Sequence, residues 1–458
     1  MKFNLSVPPH AVTPWLRDAE FIGPVPPSIL EGKKGLSQKD KDAGYEGVLL
    51  PDLVWGAGDR ASIRRLQKLG VRTINYISFS IRPIPPPAPR KHPNTASEEE
   101  HRAMIRASFL AKKPELAIYD SRGVRQRCIF ADQNSPYRIE ICPNTRGVVG
   151  ALEEEVRRMM RSGVDAVFID HVFGVSPCHG ERIGVHEHLY HQEDLRGVPE
   201  EHLRFAPGTD APNDDPLSNF AYAMLLARMH KVIREYGDEK VLIGNTTFWP
   251  FKYSAKLKKY VLFSPVIHRR VPELFWRYLD CGMVESYLLV PRSFVSADSN
   301  DPVTVRWQTC SDWEREADIP ERYRALGRRL VALPYAGQRS DLEDLFFAFV
   351  AARLDNMIWM GSDPRATGQF CKLRLGLPVG EKQRSGAILY RSFERGVLAL
   401  NPTDRPAAAS LPAAWPQVRD FLSGRPLPVE RGRLPVKLPA NAGRIFLDGD
   451  ASPTASGR

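Results

Sequence analysis

The stretch Gly163-Val164-Asp165-Ala166-Val167-Phe168-Ile169-Asp170 decides the fold. Gly163 stops the segment before it, and the run from Val164 to Ile169 is nearly continuous in apolar residues. Such a run suits a parallel strand covered on both faces, and a carboxylate, Asp170, closes it. Upstream, Val148, Val149, Leu152, Val156, Met159 and Met160 fall on one face of a helix. Downstream, Asp215-Pro216 reads as the N-cap and first-turn proline of a helix that reaches Tyr236 before Gly237.

The same unit repeats in both directions. Strands are predicted over 47–55, 71–79, 138–141, 164–170, 241–244, 282–289, 330–333 and 357–360. Helices are expected over 62–69, closed by Gly70, over 97–111 behind a Ser97/Glu100 capping box, and over 340–355 behind Ser340/Glu343. Eight alternating βα units imply an α/β fold of the closed (β/α)8 TIM-barrel type, with long loops after strands building a mouth for substrate. The runner-up, an open doubly wound sheet, lacks the Gly-x-Gly-x-x-Gly or P-loop signature of a phosphate site. After residue 385 the period drops to two. Residues 387–393, the turn Glu394-Arg395-Gly396, residues 397–401 and a closing strand at 444–447 imply a small C-terminal β-sandwich. The expected organisation is an extension at 1–44 packing on the barrel, the barrel at 45–384, the sandwich at 385–448 and a disordered tail at 449–458.

Composition removes several functional classes. With 458 residues, 43% hydrophobic and 26% charged, the chain reads as globular. No apolar run approaches the roughly 20 residues of a membrane helix, and the first residues lack the apolar core of a secretory signal, so no membrane partner and a cytoplasmic location are expected. The net charge is +10, yet bases alternate with acids, as where Glu153, Glu154 and Glu155 precede Arg157 and Arg158. No nucleic-acid partner is expected from such mixing. The six cysteines lie far apart without a Cys-x-x-Cys pair, and read as buried free thiols. The oligomeric state is left open.

In a βα barrel the carboxyl ends of the strands meet at one mouth, so polar residues there are the first candidates for chemistry. Asp170 ends the fourth predicted strand and Glu285 lies in the sixth, inside Gly282-Met283-Val284-Glu285-Ser286-Tyr287. Two carboxyl groups across a pocket are what glycoside hydrolysis requires, one as nucleophile or base and one as acid. Sugars present hydroxyl edges and apolar faces, so hydrogen-bonding groups beside aromatic rings are the expected binding set. Asp52, Asp132, Asn144, His171 and Asn245 supply the polar groups, and Trp55, Tyr76, Trp249 and Tyr287 the rings. His186, His188 and His191 crowd the loop after the fourth strand. They allow a metal-dependent hydrolase as an alternative, but the first strand lacks the His-x-His that would seat a metal low in the barrel, so the reading has no metal and no cofactor.

Cys142-Pro143-Asn144, the strand to Asp170, Met283-Val284-Glu285, Leu375-Gly376-Leu377-Pro378 and the run Tyr390 to Pro402 (YRSFERGVLALNP) together resemble the TIM-barrel glycoside hydrolases grouped as hypothetical glycosyl hydrolase family 15-like. The resemblance spans most of residues 45–447. It implies a catalytic barrel followed by a β-sandwich, with an oligo- or polysaccharide as substrate. More distantly the layout is similar to α-galactosidase-type barrels, which implies Asp170 as nucleophile and Glu285 as acid/base, with retention of configuration. A barrel that binds carbohydrate without cleaving it is the alternative within the same fold.

Overall fold

The computed structural model describes residues 13–33, 35–43, 45, 50–55, 59–78, 81–83, 113, 116–125, 138–170, 172, 176–204, 215–246, 251–254, 259–262, 272–285, 287–291, 304–306, 318–334, 342–361, 370 and 373–449. Eight strands close into a barrel and follow one another around it in chain order. These staves are Phe21–Ile22, Leu53–Trp55, Arg72–Ser78, Ala166–Asp170, Val241–Asn245, Cys281–Glu285, Arg329–Leu333 and Ile358–Met360. The expected TIM barrel is present.

Two expectations about it are corrected. The segment predicted as an extension at 1–44 contains the first stave, since Phe21 and Ile22 pair in parallel with Trp359 and Met360, and Ile22 pairs with Leu53. Conversely, Arg138–Glu140 is no stave. It pairs antiparallel with Ile81–Pro83, outside the barrel. The two errors offset, so the stave ending at Asp170 is still the fourth. The predicted helix at 97–111 and the start of the one at 340 lie outside the described residues.

By density of internal contacts the chain forms two units, Met1–Thr13 with Ile74–Met283 and Leu326–Arg328, and Pro14–Thr73 with Val284–Ala325 and Arg329–Arg458. In the first unit, Thr145 caps the helix Arg146–Arg161 by accepting from the Val148 amide, and all six predicted apolar positions of that helix are buried. Asp215 caps Pro216–Arg234 in the same manner, through the Ser218 amide at 2.8 Å. Beneath the start of the sixth stave, buried Asp280 accepts from the Leu242 amide (2.8 Å) and Arg234 (2.5 Å), with His230 at 3.4 Å. Burial pushes this carboxyl up, but His230, Arg234 and the Leu242 amide outweigh it and hold it below the usual carboxylate range. A depressed folded pKa adds stability that is present above the unfolded value and lost as pH falls through the folded one. Asp280→Asn is therefore expected to destabilise the protein at pH 7 by on the order of 1–3 kcal/mol, with the gap to the parent closing as the pH drops below 4. Urea unfolding midpoints at pH 7 and pH 3 check both parts.

In the second unit, the helix Leu342–Leu354 is buried from Leu345 to Leu354. It packs against the C-terminal strands Gly396–Asn401 and Ala442–Asp448, where Gly443 leaves room for Val350; a Cβ there would meet Val350 at 3.0 Å. The predicted hairpin is present as Ile388–Phe393 and Gly396–Asn401 in antiparallel register, Phe393 opposite Gly396. A six-stranded sheet and the pair Ala407–Pro412 with Arg433–Leu438 share one apolar core, with Ile388, Val397 and Phe446 from the former and Leu411, Leu434 and Val436 from the latter. This is the expected β-sandwich. The predicted tail beyond Gly449 lies outside the described residues, and no helix among those described is long and apolar enough to cross a membrane.

Candidate functional site

Register fixes which side chains meet. Tyr76 pairs with Phe168 and Ser78 with Asp170, while Ile169 pairs with Gly244 and Asn245 with Met283. Paired residues share a face of the sheet and alternate residues return to it. Tyr76, Phe168, Asp170, Asn245 and Met283 therefore lie on one face.

At the end of the fourth stave the Tyr76 hydroxyl donates to Asp170 Oδ2 at 2.5 Å, and Asn245 Nδ2 donates to Oδ1 at 2.9 Å. Each oxygen is held by its own donor, so the plane of the carboxyl group is fixed. The Tyr76 ring lies over Phe168, with centroids 6.0 Å apart and an interplanar angle of 19°, which fixes the hydroxyl in turn. Asn245 is buried and Asp170 half-buried, whereas Tyr76 is 45% exposed and presents its ring to solvent. Three residues singled out from sequence thus form one constellation. Trp55, half-buried, ends the second stave, and Glu285, also half-buried, ends the sixth.

Other expected site residues lie apart from this constellation or are engaged within the fold. Asp52 precedes its stave rather than ending it, which puts it at the amino-terminal rim. There it accepts from the Glu20 and Phe21 amides at 2.8 and 2.9 Å and from Arg374 at 2.7 Å. Asn144 is 3% exposed, and its amide grips the loop after the fourth stave: Oδ1 accepts from the Leu189 and Tyr190 amides, and Nδ2 donates to the Tyr190 carbonyl. Tyr287 is 4% exposed, so it presents little surface to a sugar. Asp132, His171 and Trp249 lie outside the described residues.

Sequence reasoning missed a second cluster. Cys142, Cys178, His186 and His188 bring their donor atoms within 4.8 Å of one another, so two of the thiols read as scattered come together. The Cys142 sulfur, then His186 and His188, hold the Cys178 thiol far below its usual range, whereas burial and the neighbouring Cys178 push Cys142 up. His191 stands apart, its Nε2 3.1 Å from Glu181. A cavity of about 170 Å³ beside the cluster is lined by Cys142, Asn144, Cys178, His188, Gln192 and Asp215 among others, and by none of Tyr76, Asp170 or Asn245. It is well below the roughly 300 Å³ at which ligand pockets begin.

No protein-family model matches the chain, and no curated protein matches its sequence. Solved structures do match. A debranching enzyme from Nostoc punctiforme superposes with a TM-score of 0.50 at 9% identity, over 95% of this chain and 99% of that one. A maltogenic α-amylase from Thermotoga neapolitana (0.49, 9%, 94% and 99%) and an Anoxybacillus α-amylase (0.48, 10%, 96% and 99%) are similar in the same manner. At such identities the likeness concerns the fold alone.

Proposed function

We propose that the chain is a glycoside hydrolase in which Asp170 is the nucleophile. The observation that carries this reading is the clamp on Asp170, a carboxyl group at the mouth end of the fourth stave with one donor on each oxygen. An oxygen held in this manner is oriented before substrate arrives, which is what in-line attack on an anomeric carbon needs. Glu285 is the partner acid in this reading, supported by its position at the end of the sixth stave.

In the first step an Asp170 oxygen bonds to the anomeric carbon while the glycosidic C–O bond breaks, and the leaving oxygen takes the Glu285 proton. In the second, Glu285 removes a proton from water, whose oxygen displaces Asp170 from the same carbon. Two inversions give net retention. Tyr76 and Asn245 position the carboxylate, and the exposed Tyr76 ring offers an apolar face to the sugar.

The test is covalent trapping. Aryl α- and β-glycosides with fluorine at C2 form the glycosyl-enzyme and release it slowly, so intact mass should rise by one glycosyl unit and peptide mapping should place it on Asp170. Modification of another carboxylate, or an inverted product seen by NMR during turnover of ordinary aryl glycosides, would refute the assignment. Saccharide binding without turnover across the panel would instead establish the non-catalytic reading.

A further inference from the structure

We infer that Cys142, Cys178, His186 and His188 form a structural zinc site that pins the loop after the fourth stave to the Arg138–Glu140 strand and its neighbours. The distances suit one ion. Cys178 Sγ lies 3.3 Å from His186 Nε2, and Cys142 Sγ lies 3.9 Å from His188 Nε2. A tetrahedron with Zn–S of about 2.3 Å and Zn–N of about 2.0–2.1 Å sets sulfur and nitrogen roughly 3.6 Å apart. Two thiolates and two imidazoles are a soft, four-coordinate donor set that selects zinc over calcium or magnesium. With four protein donors no coordination position is left for substrate, so the ion serves the fold.

The surroundings are those of a metal site. Metal-bound imidazoles commonly present their second nitrogen to a carboxylate. His188 turns Nε2 toward Cys142, while its Nδ1 lies 3.6 Å from Glu181, which also accepts from the His188 amide at 3.1 Å. His186 has its Nδ1 buried without a hydrogen-bond partner, so the polar contact given for its ring is the one that Nε2 makes with Cys178. The ring rests directly on Gly180, where a Cβ would meet the ring atoms at 2.3 Å, so a larger residue there would have to displace the ring.

The loop also needs an ordering element. Across residues 176–202 only Gly180 is buried, so the segment has no apolar core of its own. Segments this poor in buried side chains are held by crosslinks or metals rather than by hydrophobic packing. The Asn144 amide fastens the loop at Leu189 and Tyr190, and the cluster would fasten it at 178, 186 and 188.

The experiment uses the full chain, expressed with zinc present and purified without chelator. Elemental analysis should give about one zinc per chain, and X-ray absorption should show two sulfur and two nitrogen scatterers. The double variant Cys142→Ser/Cys178→Ser should retain less than a tenth of that zinc, and limited proteolysis should cut it between 176 and 204 at least tenfold faster. As a control against a variant that fails to fold, the parent protein reconstituted with cobalt(II) should show the intense visible bands of a tetrahedral thiolate site. Zinc-free parent protein with a Cys142–Cys178 disulfide, undiminished zinc in the double variant, or a cobalt spectrum of six oxygen and nitrogen donors would each overturn the inference. None of these readouts depends on glycoside turnover, so it stands or falls apart from the assignment of Asp170.

Discussion

Asp170→Ala is expected to lower kcat/KM on the best aryl glycoside by roughly 10⁴-fold or more, about 5 kcal/mol of transition-state stabilisation, because it removes the atom that forms the covalent bond. The fold should survive the change. Asp170 is half-buried at a strand end, and the hydrogen bonds from Tyr76 and Asn245 come from side chains rather than from the backbone ladder. Unchanged far-UV dichroism and a thermal midpoint within a few degrees of the parent would establish that. Formate then supplies an external carboxylate in the space left by the side chain, and should restore part of the rate by attacking the same carbon. The supporting donors behave differently. Tyr76→Phe and Asn245→Ala each remove one hydrogen bond to a charged group, worth about 1.5–3 kcal/mol, so kcat should fall roughly 10- to 100-fold while the nucleophile stays in place. Formate should not rescue either variant. Parent-like turnover by Asp170→Ala, or a rate that formate leaves unmoved, would remove Asp170 from the chemistry.

What the sequence disclosed, and what it hid, follows from the range of the interactions involved. Strand 164–170, the helices on either side of it and the Asp170 terminus are written in local periodicity, and they stand as read. Tyr76 and Asn245 were legible because a polar residue at the end of an apolar strand has few places to point. The first stave was hidden. Phe21–Ile22 is two residues long, too short to show alternation, and it is a strand by its pairing with Leu53 and with Trp359 and Met360, the latter more than 330 residues away. Asp52 misled for a related reason: read as part of a strand from 47, it seemed to lie near the mouth, but the stave starts at Leu53 and leaves Asp52 at the other rim. The metal cluster was half visible. Cys178, His186 and His188 share one loop, but Cys142 joins them from the end of a different strand, and no spacing rule spans those 36 positions.

Glu20→Ala is expected to cost about 3–5 kcal/mol of stability, because it leaves a buried arginine without its counter-charge at the seam where the barrel closes. Arg353 is 1% exposed at the end of helix Leu342–Leu354, with Nη2 3.1 Å from Glu20 Oε2 and Nη1 donating to the Met357 carbonyl at 2.9 Å. Glu20 immediately precedes the first stave, and its carbonyl accepts from Trp359 in the eighth. Its carboxylate also accepts from the Leu375 and Gly376 amides at 3.1 and 3.3 Å, which ties down the Leu375-Gly376-Leu377-Pro378 segment. Gly376 has a φ of +74°, and a Cβ there would lie 2.3 Å from the Glu394 carboxylate, so the segment can pass only as glycine. Burial pushes the Glu20 carboxyl up and Arg353 and Arg374 pull it down, while Arg353 stays charged at any accessible pH. A guanidinium stranded at such a site cannot shed its proton, so the whole penalty falls on the folded state. The double variant Glu20→Gln/Arg353→Met removes both charges while keeping most of the volume, and should recover at least half of the loss. Urea unfolding of the parent, both single variants and the double variant gives the coupling directly. Single variants within 1 kcal/mol of the parent would show that closure rests on the backbone pairing of Phe21–Ile22 with Trp359–Met360, and not on this ion pair.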